Sequence, residues 1–148
     1  MTKVNERTFI NISFSLLAFI SSALLSTNSL LIVSDVILAC ILLVSSILIL
    51  TSQNNNINDF AHFLFVANIY LVSIFSSNAY LLVLNILILI VILLSRQYYG
   101  DCVLHKMHTG VGPFERFNKN INTEETTEQG NILFGGTIMF LLLKLCVM

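Results

Sequence analysis

Charge is scarce in this chain, and proline scarcer still. Only 10% of its 148 residues are Asp, Glu, Lys or Arg and 56% are hydrophobic, where an ordinary soluble domain carries about 25% charged and roughly 45–50% apolar residues. A soluble fold of this length has no interior large enough for so much apolar surface. The composition therefore excludes the water-soluble globular class and names the bilayer as solvent. An excess of one sign of charge is missing too. With a formal net charge of −1, no basic field is available to attract nucleic acid or an anionic lipid surface.

Cysteine is equally uninformative as a framework. Cys40, Cys102 and Cys146 are odd in number and two of them lie inside apolar runs, so no disulfide scaffold is readable. The chain has one Pro, six Gly and six Ala against 18 Ile and 14 Asn, the bias expected of AT-rich coding sequence in an organelle, parasite, endosymbiont or large virus. Catalytic motifs are wanting as well. No Ser sits in a Gly-x-Ser-x-Gly setting, and the Gly110 to Phe114 run "GVGPF" lacks a Lys-Ser/Thr pair and a preceding strand, so it is no phosphate loop.

What is present is long apolar runs. Five segments emerge from run length and polar breaks: Phe9 to Leu25, Leu30 to Leu50, Phe60 to Phe75, Tyr80 to Leu94 and Ile132 to Met148. The third and fourth are short for a span and must borrow neighbouring Ser, Asn or Tyr residues. "STNS" (Ser26 to Ser29), "SQNNNIND" (Ser52 to Asp59) and "SSN" (Ser76 to Asn78) favour local side-chain to backbone hydrogen bonds over helix. Asp59 is placed to cap a helix starting at Phe60. The predicted fold is all-α: a multi-pass transmembrane bundle of about five helices. Residues 1–95 form two helical hairpins, residues 96–131 a juxtamembrane segment, and residues 132–148 a last helix. An alternative boundary puts the first turn at Ser34 and Asp35, with the same number of crossings.

Orientation follows from Lys and Arg. Lys3, Arg7, Arg96, Lys106, Arg116 and Lys119 fall on one side of a five-span chain. The amino terminus and residues 96–131 are expected on the cytoplasmic side, the carboxyl terminus opposite. Lys3, Arg7 and the following apolar core, with Ser21 and Ala23, also resemble a secretory signal cleaved after Ala23. Asn11, Ser13 and Ser15 make that core polar for a signal and favour a retained helix. The Asn11-Ile12-Ser13 sequon lies within it and is not expected to be glycosylated.

Ionisable groups inside a membrane are functional candidates because they are costly there, on the order of 2.5–3.5 kcal/mol. Asp35 and Lys144 qualify. Both fall near the same end of the bundle, where they could pair, either lining an ion pathway or as a dipole-favoured Asp and a snorkelling Lys. Asn68, Tyr70 and Asn85 lie at similar distances from the turn at Asn78 and could hydrogen-bond across the second hairpin. Ala18, Ser22 and Ser26 recur every four residues, a stripe suited to close approach of another helix.

Ser95 to Phe117 is the one place where ionisable, aromatic, cysteine and glycine residues crowd together. Continued as a helix, it puts Gln97, Asp101, His105 and His108 within about 80° of one another. Asp101, His105 and His108 are metal-competent at helical spacing, but Cys102 points about 60° away from His105 and 120° from His108. Gly100 weakens the helix, and Gly110, Gly112 and Pro113 end it. The stretch reads as the exit from the membrane.

Together these features predict a non-catalytic integral membrane protein, a packing or assembly component of a membrane complex. Its partners would be the lipid bilayer and other membrane subunits or further copies of itself. No cofactor and no nucleic acid is expected. The alternative is a small oligomeric transporter or channel using Asp35 and Lys144. A third reading is a membrane metalloprotein on Asp101, His105 and His108.

Overall fold

The computed structural model describes residues 5–27, 31–99 and 123–147. These residues form five α-helices and no strand: α1 (Glu6–Ser26), α2 (Val33–Thr51), α3 (Asn55–Phe75), α4 (Ala79–Tyr99) and α5 (Thr123–Val147). Each contains a stretch long and apolar enough to cross a membrane. The result is the helical bundle expected from composition.

Short polar side chains set the helix ends. Asn5 accepts a hydrogen bond from the Arg7 N–H at 3.1 Å and so starts α1. At its far end Ser26 Oγ donates to the Ala23 carbonyl at 2.7 Å and Thr27 Oγ1 to that of Leu24 at 2.9 Å, serving carbonyls of the last turn. Asn78 caps α4, its Oδ1 accepting from the N–H groups of Tyr80 and Leu81 at 3.0 and 3.2 Å.

The start of α3 differs from the sequence reading. Asn54, not Asp59, is its cap, accepting from the Asn56 N–H at 2.9 Å. The Asn-rich run thereby winds into helix from Asn55, which supplies the length that the apolar run from Phe60 lacked. The fourth helix extends likewise through Ser95 to Tyr99. The turn between α1 and α2 falls before Asp35, which sits in the first turn of α2. The last helix begins at Thr123 rather than Ile132.

Helices α1 and α2, and α2 and α3, make the most extensive contacts. Their seam is built of small side chains: Ser21, Ala39, Ser45, Ser46 and Ala61 are all fully buried. Such residues let backbones approach closely, which is what drives helix association where hydrocarbon solvent offers no hydrophobic gain. The hydroxyls of Ser45 and Ser46 cost little in this position because both donate to the Leu42 carbonyl, at 3.0 and 2.7 Å. Phe14 of α1 meets Phe65 of α3 edge-on, ring centres 5.2 Å apart.

Helix α5 is attached differently. It packs on α4 and α3, and Leu141 is its one fully buried hydrophobic residue among those described. In its apolar window 11% of residues are buried, against 39% in each of α2, α3 and α4. Most of α5 is therefore left facing outward.

Candidate functional site

The chain alternates direction, so the end of α3, the start of α4 and the end of α5 meet at one end of the bundle. The last turn of α3 leaves carbonyls with no helical partner and carries the negative end of the helix dipole. Lys144, near the end of α5, supplies the missing donor. Its Nζ donates to the carbonyls of Ser73 and Ile74, both at 3.0 Å. Cation, carbonyls and dipole thus satisfy one another in a charge-assisted cap.

One turn further in, Asn85 of α4 reaches across to α3. Its Nδ2 donates to the Ile69 carbonyl at 2.8 Å and to Ser73 Oγ at 3.0 Å, and Ser73 Oγ donates in turn to the Ile69 carbonyl at 2.8 Å. Ser73 joins the two groups: its side chain serves Asn85 and its carbonyl serves Lys144. The polar seam of α3, α4 and α5 is built around this residue. Sequence reasoning missed Ser73. The signal was available, since Ser73 and Asn85 stand five and seven residues on either side of Asn78.

The other candidates are placed apart from this seam. Asp35 is 2% exposed, and its Oδ1 is buried with no hydrogen-bond partner. No ion pair joins it to Lys144, whose ammonium group bonds to α3. The neighbours of α5 are α4 and α3, so the carbonyl end of α3 lies nearer to hand than a carboxylate on α2. Asn68 is likewise 2% exposed with its Oδ1 unpartnered. By helical geometry it shares a face of α3 with Ala61, Phe65 and Val72 and points away from Asn85. Tyr70 is half-buried in a crevice of about 340 Å³ between α3 and α5, with Ser73 beside it and Ile132, Gly136, Thr137 and Phe140 opposite.

The stripe Ala18, Ser22 and Ser26 does not face the bundle: Ala18 is half-buried, and Ser22 and Ser26 are exposed. The buried face of α1 runs through Ile10, Phe14 and Ser21 instead, with Ser21 Oγ donating to the Leu17 carbonyl at 2.8 Å. Two large apolar anchors decide which way the helix turns. Asp101, His105 and His108 lie outside the described residues. Among those described, no cluster of three His, Cys, Asp or Glu side chains is disposed to hold a metal.

At the opposite end of the bundle α4 and α5 are clamped again. The Arg96 guanidinium lies over the Phe134 ring, 5.6 Å from its centre. A Cβ at Gly130 would stand 2.7 Å from Arg96 Nη1, so the glycine makes room for the arginine. Gly135 and Gly136 are different: nothing lies within 4 Å of a Cβ built at either.

Compared with known proteins, the chain matches no family model, and no curated protein or solved structure shows significant similarity to it. Chemically, Asn85, Lys144 and Arg96 are engaged in joining helices to one another.

Proposed function

We propose that this chain is a non-catalytic integral membrane protein that packs with other membrane subunits, or with further copies of itself, to build a larger membrane assembly. The amino-terminal end and residues 96–131 would face the cytoplasm, as the distribution of Lys and Arg favours. The observation that carries the reading is α5. It is fastened near its middle by Arg96 on Phe134 and near its carboxyl end by Lys144 on the end of α3, yet between them stand two adjacent glycines at which an added Cβ would meet nothing within 4 Å in this chain. Glycine inside a helix costs about 1 kcal/mol relative to Ala. A second helix resting on that face would draw on the close approach that glycine permits.

The test is Gly135→Leu in the full chain, purified in mild detergent and examined for co-purifying membrane subunits. A Cβ at Gly135 meets nothing within 4 Å, so the fold of the chain itself should persist while stoichiometric partners are lost. Retention of all partners by a folded Gly135→Leu chain would defeat the reading.

A second reading, a small proton- or ion-coupled transporter, is favoured by Asp35. A carboxylate oxygen buried without a partner is costly, and such groups in membrane helices commonly mark ion pathways. Asp35→Asn in a liposome flux assay addresses it: flux abolished supports transport, and no flux from the unaltered protein removes it.

A further inference from the structure

Helices α1 and α4 are not principal neighbours. They converge at Phe9 and Tyr99, whose ring centres are 5.7 Å apart, and diverge above that contact around a groove of about 320 Å³. The walls are aliphatic, with Leu16, Leu17 and Ile20 on α1 and Leu84, Leu87 and Val91 on α4. Phe14 and Phe65, packed edge-on, also line it. Its two hydroxyl residues are Ser13 and Ser95, and Ser95 Oγ already donates to the Ile92 carbonyl at 2.8 Å. A water-filled path has nothing to bind here, whereas hydrocarbon does.

The dimensions select among apolar occupants. The lining runs from Phe9 to Ile20 on one helix and from Leu84 to Ser95 on the other, which is about 16 Å at 1.5 Å per residue. That matches one leaflet, half of a hydrocarbon core about 30 Å thick. A groove of this length and about 320 Å³ is a narrow slot beside a helix 10–12 Å across. The groove takes a thread and not a helix. At its Phe9 end the chain also offers a charge. Arg7 lies one turn before Ile10 on the same face of α1, is exposed, and its guanidinium has no hydrogen bond or ion pair among the described residues.

We infer that the groove between α1 and α4 is a binding site for one acyl chain of a phospholipid from the leaflet at the Phe9 and Tyr99 end, with Arg7 holding its phosphate. The aromatic pair closes the groove toward water, so the chain enters sideways from the bilayer. Arginine suits the headgroup because its planar fork matches phosphate. The inference rests on the membrane placement proposed above but not on assembly.

The full chain would be reconstituted in phosphatidylcholine vesicles containing a trace of the same lipid with a photoactivatable diazirine on its acyl chain. Labelled peptides would then be mapped by mass spectrometry. Labelling should concentrate on α1 and α4 at the groove, above the level at the outward-facing Val44 and Ile47 of α2. Leu87→Trp, or Leu16→Trp from the opposite wall, should bring it down to that level, and Arg7→Gln should lower it partway. Labelling of the groove no stronger than that of Val44 and Ile47 in the unaltered protein overturns the site. Absence of label at Val44 and Ile47 too would instead mean that the chain is not in the bilayer.

Discussion

The seam between α3 and its neighbours α4 and α5 and the seam that joins α1, α2 and α3 solve the same problem by different means. In the first, Asn85, Ser73 and Lys144 exchange hydrogen bonds with one another and with the carbonyls of α3. In the second, Ala39, Ser45, Ser46 and Ala61 bring the backbones together, while Asp35 and Asn68 each bury an oxygen that nothing meets. Close packing is sufficient where three helices share a long contact. It is insufficient for α5, which buries little of its surface and holds to the bundle through Arg96 on Phe134 near its middle and Lys144 near its carboxyl end. The division also explains why Lys144 and Asp35, two charges within the apolar runs, differ so much: one caps a helix terminus and the other buries an oxygen without a partner.

That contrast can be broken or sharpened by substitution, read as unfolding in mixed micelles. Lys144→Met should have the largest effect. It strips two carbonyls of a charged donor, and hydrogen bonds to charged groups are worth about 1.5–3 kcal/mol, so a loss near 2 kcal/mol is expected. An unchanged midpoint would show that the cap does not hold α5.

Asn85→Leu comes next. It removes both bonds to α3 but leaves Ser73 bonded to Ile69, and interhelical hydrogen bonds in membranes contribute about 0.6–2 kcal/mol. A loss of about 1 kcal/mol is expected. Gly130→Ala should be smaller again. The added methyl displaces the Arg96 guanidinium from Phe134, costing about 0.5–1 kcal/mol of cation–π contact, but gains about as much in helix propensity. The net change should lie near zero, with α5 less firmly held at that end, seen as faster cleavage by protease next to Asn131. Asn68→Leu should cost nothing or stabilise, since an apolar side chain of similar shape replaces an amide oxygen with no partner. A marked loss there would mean that both seams rely on polar bonds and that the contrast is false.

Much of the architecture was legible in the sequence because it depends on solvent and on period. Apolar run length gave the number of helices, and Asn85 stood out as an amide inside such a run. Boundaries were less legible because caps compete: Asn54 and Asp59 can each start α3, and choosing between them depends on where the preceding chain turns. The two hairpins were legible, but which helices neighbour beyond them was not. The stripe Ala18, Ser22 and Ser26 has the right spacing for packing, yet Ile10 and Phe14 turn a face about 100° round the helix inward. Lys144 and Asp35 lie near the same end, yet α5 docks on α3 and α4 instead of α2. Those choices are made by the summed packing of whole faces, which no single residue reports.

The most direct test of the account is the native mass of the full chain extracted from membranes without denaturation. The account predicts a defined assembly, heavier than one chain by stoichiometric partners or copies, which Gly135→Leu dissociates into folded single chains. A single chain in the unaltered protein, with α5 still exposed, would contradict it.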